Sequence, residues 1–326
     1  MDSPDFCPSY YKDLSADDSV SATRSTIEYI HTLDPKGTLV KPIITPRFAP
    51  TCTRPALEGL GKLAAEFSPP LHIQTHISEN TNEIALVKEL FPESESYADV
   101  YDRYSLLTKR TILAHAVHLT REERSLIRQR AAKISHCPAS NSALGSGIAP
   151  VRAYLDEGIT VGLGTDVSGG YSPSILEAAR QACLVSRLLG HTTSFCKTEG
   201  KRAHENGHAD KPTIGREKLS IEESLYLATR GGAAVVDMAD DLGGFDEGMI
   251  WDAQLIELGG VPDLSKNLLD ATSDGSSSLV KAGPVGNVDL FGTETWEEKI
   301  HKWVWSGDDR NVKAVWVAGR LVHSRS

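Results

Sequence analysis

Leu71-His72-Ile73-Gln74-Thr75-His76-Ile77-Ser78-Glu79-Asn80 decides the fold. At a period of two, Leu71, Ile73, Thr75 and Ile77 share one face of a strand, and His72, Gln74 and His76 share the other. The apolar face suits packing beneath a helix. The polar face needs a solvated interior, a metal or a site. Ser78 to Asn82 break the alternation, and 83–90 reads as a helix. His76 therefore ends a strand, and Glu79 stands where the following loop turns into a helix. Parallel α/β folds build their sites along that edge.

Working outward, strands are predicted over 39–48, 71–77, 111–115, 132–138 and 159–166. Pro42 and Pro46 sit awkwardly in the first of these. Helices are predicted over 16–33, 54–67, 82–90, 121–130 (capped by Thr120), 149–157 (closed by Gly158), 173–189 and 220–229. The last opens on a capping box, Ser220 with Glu223. Five strand–helix units in a row predict a parallel sheet with right-handed crossovers. A doubly wound sheet and a (β/α)8 barrel both fit. In the 159–166 strand, Ile159, Val161 and Leu163 alternate with Thr160, Gly162, Gly164 and Asp166, which are expected to face inward. Small inward residues with polar strand ends favour the barrel. Further on, 252–258 and 312–323 read as strands of a smaller β element. Trp296, Trp303 and Trp305 fall in a helix, where hydrophobic anchoring is expected. The stretch 264–285 reads as a loop. The stretch 190–217 reads as a polar surface insertion whose His191, His204 and His208 are solvated.

With 326 residues, 40% hydrophobic and 24% charged, the chain reads as an ordinary globular protein. A net charge of -10 excludes a nucleic-acid backbone binder, because no basic surplus is present to displace counterions. No apolar run reaches the length of a membrane span, and the first residues lack a signal-peptide layout. Five cysteines without paired spacing read as free thiols in a reducing compartment, so a cytoplasmic protein is expected.

Three strand-terminal groups converge on one sheet edge: His76, His115 and Asp166. Imidazoles plus a carboxylate on separate strands are one way a catalytic metal site is built. Each alone is more often a satisfied polar group; together, with Glu79 adjacent, they read as a site. A carboxylate beside a metal-activated water has the chemistry of a proton shuttle. Glu79 also suits the first turn of a helix, and the two roles are compatible. His118 reads as structural, His72 as an interior hydrogen-bonding residue, and His136 as either site edge or support. Arg47 and Phe48 end the first strand. An arginine fork matches the O6 and N7 acceptors of guanine, and a phenyl ring offers a stacking face.

Pro46-Arg47-Phe48, His76-Ile77-Ser78-Glu79-Asn80, Ala114-His115, His136-Cys137-Pro138-Ala139-Ser140-Asn141 and Gly164-Thr165-Asp166, in this order, resemble the guanine deaminase family of the amidohydrolase superfamily. The resemblance runs from residue 16 onward, apart from the polar insertion. It implies a partial (β/α)8 TIM-type barrel, about strands 4–8, over 16–250 with its insertion at 190–217. It further implies a remnant of a small β-sandwich domain over 251–326. The implied reaction is hydrolysis of guanine to xanthine and ammonia, with one zinc ion. In this resemblance His76 and Asp166 are zinc ligands, and Asp166 also takes a proton from water. Glu79 is the shuttle, His115 polarises or orients, and Arg47 and Phe48 hold guanine. A cytosolic homodimer is implied as well. The chain departs from the superfamily in one respect: no His-x-His pair, the source of two zinc ligands on the first barrel strand, occurs anywhere. The chain therefore reads as beginning partway through a longer ancestor, with His115 available as a third ligand. Two other readings stay open: a non-catalytic remnant that binds a purine or a full-length partner, and a related enzyme acting on another aminated or halogenated heterocycle. Arg47-Phe48 favours guanine.

Overall fold

A computed structural model describes residues 1–192, 215–259 and 287–325. It divides into two compact units, Met1–Ala239 and Asp240–Ser326.

The first unit is built on a five-stranded parallel sheet in sequential order: β1 (Ile43–Ile44), β2 (His72–Ile77), β3 (Thr111–His115), β4 (Lys133–His136) and β5 (Val161–Leu163). The order never reverses, so the sheet lacks the switch point of a doubly wound fold. Its helices are α1 (Ala16–Leu33), α2 (Arg54–Ala65), α3 (Thr81–Leu90), α4 (Tyr97–Arg103), α5 (Arg121–Gln129), α6 (Pro138–Ala143), α7 (Val151–Asp156), α8 (Ile175–Leu189), α9 (Ile221–Ala228) and α10 (Arg230–Val235). Capping follows the sequence. Thr120 and Glu123 close a capping box on α5, as Ser220 and Glu223 do on α9.

In β2, Ile73, Thr75 and Ile77 are buried, while His72, Gln74 and His76 are not. Ile44, Leu57, Leu63, Ile73, Ile77, Leu113, Ile134 and Val161 meet in one core between sheet and helices. Each such side chain contributes about 1.5–3 kcal/mol by leaving water. The register sets the strand ends side by side, with Ile77 opposite His115 and His136 opposite Leu163.

Three strands are shorter than the sequence predicts. The expected 39–48 strand keeps only Ile43–Ile44, because Pro42 and Pro46 bracket it and neither has an N–H for the ladder. The 132–138 strand stops at His136, and Pro138 opens α6 at its first position, where no donor is needed. The 159–166 strand keeps Val161–Leu163. Gly162 stands in register with Ser135, which pairs with Ala114 opposite His76, so it lines the His76 face as expected; a Cβ there would stand 2.9 Å from the Gly232 Cα of α10. Helix α4, capped by Ser96, was not expected; at seven residues it is too short to show a period.

In the second unit β6 (Ala253–Ile256), β7 (Val312–Val317) and β8 (Arg320–Ser324) form an antiparallel sheet, and α11 spans Trp296–Ser306. The expected 312–323 strand is thus a hairpin, turned at Ala318 and Gly319 with φ of 49° and 76°. Hydrophobic anchoring fails for Trp296, which is 80% exposed with the Lys299 ammonium 4.8 Å above its ring. The predicted 264–285 loop, and His204 and His208 of the insertion, lie outside the described residues. Among the described residues, no helix is long and apolar enough to cross a membrane, and Cys7, Cys52, Cys137 and Cys183 are free thiols.

Candidate active site

The end of β2 is held from three sides. The His76 N–H donates to the Arg47 carbonyl at 3.3 Å, and the His76 ring Nδ1 lies 2.5 Å from that same oxygen. A carbonyl only accepts, so Nδ1 carries the proton and Nε2 is left bare. The Tyr101 hydroxyl, fully buried, donates to the His76 carbonyl at 2.7 Å. Tyr101 also accepts from the Ala49 N–H at 3.1 Å and from the Thr75 hydroxyl at 3.0 Å. One phenol therefore joins β2 to the turn that follows Arg47 and Phe48.

Glu79 is set by the start of α3. Asn80 Oδ1 accepts from the Glu83 N–H at 2.9 Å, while Glu83 Oε2 accepts from the N–H groups of Asn80 and Glu79 at 3.4 and 2.9 Å. This box fixes the backbone carrying Glu79. Its side chain is 19% exposed, and Oε1 accepts from the Ser146 hydroxyl at 2.9 Å.

His115 ends β3 and is 1% exposed. Strict alternation would put it with buried Leu113 on the helix side. Its φ of 68° turns the chain out of that register. Its Nε2 then lies 3.8 Å from Glu79 Oε2 and 3.9 Å from Asp166 Oδ2. Asp166, 31% exposed, follows β5 with φ of 47°. The His76 and His115 rings stack at 5.2 Å, and Phe48 meets His76 edge-on at 6.3 Å. Arg47 is exposed beside them.

The structure thus gathers His76, Glu79, His115 and Asp166 at one sheet edge, with Phe48 and Arg47 at its rim. Ligand atoms of His76, His115 and Asp166 lie within 4.8 Å of one another. Two imidazoles and a carboxylate, one imidazole with a bare nitrogen, are a donor set that fits a metal ion such as zinc.

The other histidines separate by partner. His72 Nε2–H donates to Asp237 at 2.9 Å, and Asp237 also holds the Lys133 ammonium at 2.5 Å. Burial lowers the His72 pKa despite Asp237 beside it. His118 Nε2–H donates to the Ser146 carbonyl at 2.7 Å, a structural role. His136 is fully buried with neither ring nitrogen partnered; burial, with His115 nearby, lowers its pKa to about 3 and keeps it neutral. Sequence reasoning gave no role to Tyr101, Ser146 or Asn141. Asn141 stands inside a motif already singled out, whereas Tyr101 and Ser146 carry no local pattern that would mark them.

A sequence model of the Amidohydrolase family matches residues 6–322. This chain belongs to the amidohydrolase family. The family's α/β fold is seen in solved structures: the guanine deaminase of E. coli, with TM-score 0.75 and 31% identity, is similar over 100% of this chain and 63% of that one. A guanine deaminase from C. acetobutylicum with bound guanine in the active site is similar at TM-score 0.72 and 32% identity, over 99% of this chain and 64% of that one. Among curated relatives, the probable guanine deaminase of Schizosaccharomyces pombe is 49% identical over 315 residues, which are 97% of this chain and 52% of the relative. This amidohydrolase chain therefore spans about half the length of that relative.

Proposed function

We propose that this chain carries guanine deaminase chemistry, the hydrolysis of guanine to xanthine and ammonia. One observation carries the reading: His115 Nε2 stands 3.8 and 3.9 Å from the carboxylates of Glu79 and Asp166, beside the bare nitrogen of His76. Similarity to guanine deaminases, one of them with guanine in its active site, supports the choice of substrate. His76 and Asp166 would hold one zinc ion, with His115 as the third donor within reach. When bound, zinc lowers the pKa of water toward neutrality. Glu79, held through Oε1 by Ser146, keeps Oε2 free to take a proton from the attacking water. It delivers that proton to a ring nitrogen, where it stays as the N–H of the product. Asp166 accepts the second proton of the water, which passes to the departing amine as the C–N bond breaks and ammonia leaves. Arg47 offers its fork to O6 and N7, and Phe48 offers a ring face to the purine.

The same reading takes β1–β5 as about strands 4–8 of a (β/α)8 barrel over 16–250, supported by their sequential parallel order. Residues 251–326 are read as a β-sandwich remnant, supported by the antiparallel sheet β6–β7–β8. Free thiols support a cytoplasmic location. The exposed Leu184 and Leu188 on α8 support a homodimer, which light scattering would test. A second reading is purine binding without turnover. Incubation with guanine and ultraviolet detection of xanthine decides between them. Turnover that falls by about 10²–10⁴-fold in Glu79→Gln supports the shuttle; unchanged turnover in that variant removes Glu79 from its role.

A further inference from the structure

The segment after β4 contributes a side chain that no reading above uses. Asn141, in α6, is 2% exposed. Its backbone is locked at both ends: its N–H donates to the Cys137 carbonyl at 3.0 Å, and its carbonyl accepts from the Ser146 N–H at 2.8 Å. Its Oδ1 lies 2.9 Å from His115 Nδ1, while its Nδ2 is buried without a partner. A half-satisfied buried amide is costly, and such a group persists where its satisfied half does something specific. Oδ1 only accepts, so this contact places the His115 proton on Nδ1 and leaves Nε2 with a lone pair.

The opposite face of the ring supports the same assignment. An N–H aimed at a carboxylate closes to about 2.7–2.9 Å. His115 Nε2 instead stands 3.8 Å from Glu79 and 3.9 Å from Asp166. That spacing suits a bare nitrogen with room for a guest between it and the two acids. His76 shows the same arrangement, with its proton fixed on Nδ1 by the Arg47 carbonyl. Both stacked imidazoles thus turn lone pairs toward one space.

We propose that Asn141 is a positioning residue that fixes the tautomer of His115, so that the bare Nε2 faces Glu79 and Asp166. The role of that nitrogen in catalysis rests on the proposed deaminase reading; the tautomer itself does not. The test is histidine-¹⁵N NMR of the whole chain without added metal, above the pH at which histidine titrates. The His115 signals are assigned by their loss in His115→Gln. The native chain is expected to show a protonated Nδ1 and a bare Nε2. Asn141→Leu removes the acceptor and is expected to move the proton to Nε2. Asn141→Asp keeps an acceptor and is expected to restore the native pattern. A native spectrum with Nε2–H overturns the proposal whatever the variants do. So does an Asn141→Leu variant, folded by circular dichroism, whose His115 shifts match the native ones. A chain that shows the expected tautomer but never turns over guanine sinks the deaminase reading and leaves this inference standing.

Discussion

Tyr101→Phe deletes one oxygen from the centre of the first unit. That oxygen donates to the His76 carbonyl at 2.7 Å, accepts from the Ala49 N–H at 3.1 Å, and accepts from the Thr75 hydroxyl at 3.0 Å. Thr75 has a second acceptor, the Arg47 carbonyl at 3.3 Å, and is not orphaned by the change. The Ala49 N–H is the main loss, since Ala49 is fully buried. A buried group left without a partner costs about 1–3 kcal/mol, and the lost bond to His76 adds to that, for a total of about 3 kcal/mol. For a unit of this size, each kcal/mol lowers the melting temperature by about 2–4 °C, so a drop of about 6–12 °C is expected. Thermal unfolding followed by circular dichroism measures it. Burial drives the Tyr101 pKa far up, so the phenol stays neutral and the deficit is expected to be independent of pH across the neutral range. A Tyr101→Phe protein that melts within about 1 °C of the native one would refute the view that this hydroxyl ties β2 to the Phe48 turn.

Gly169 lies against the Asp166 carboxylate: a Cβ there would stand 2.6 Å from Oδ2 and 3.1 Å from Ser140 Oγ. Gly169→Ala is expected to displace that carboxylate and weaken zinc binding by about 10–100-fold, as loss of a ligand's support does, in competition with a chromogenic chelator. Unchanged affinity would remove Asp166 from the ligand set. His136 gives a pH prediction. Burial, with His115 nearby, depresses its folded-state pKa to about 3, below the ordinary value of the unfolded chain. Below that ordinary value the unfolded chain binds a proton that the folded chain refuses. Stability is therefore intact above it and drains as pH falls, at up to about 1.4 kcal/mol per pH unit. Urea unfolding of His136→Leu is expected to lack that slope, and parallel pH profiles for variant and native protein would contradict the assignment.

The stretch from Leu71 to Asn80 was legible because period-two alternation and a cap lie next to each other in the sequence. The structure returns both: Ile73, Thr75 and Ile77 are buried, and Asn80 caps α3. Helix starts at Thr120 and Ser220 were legible for the same local reason. Contacts that depend on where the chain returns were not. Ser146 reaches Glu79 across 67 positions, and Asp237 reaches His72 across 165. No periodicity encodes such pairs.

The backbone at the strand ends is the deeper reason that the site outran the pattern. Ser78, His115 and Asp166 all have positive φ, at 49°, 68° and 47°. Each stands just past or at the end of a different parallel strand, and none is glycine. A left-handed conformation at a residue with a side chain costs about 1–3 kcal/mol, and it persists only where neighbouring structure over-determines it. Here the neighbours are identifiable. The Ser78 carbonyl accepts the N–H groups of Val117 and His118 at 3.1 and 3.0 Å, and the Asp166 carbonyl accepts that of Gly170 at 2.6 Å. Glycine would relieve the strain at each position and would also delete an imidazole at one and a carboxylate at another. At His115 and Asp166 the strain therefore falls on residues whose side chains the site needs. Alternation predicts where a strand's side chains point only until the chain leaves the strand, and His115 and Asp166 act at the point of leaving.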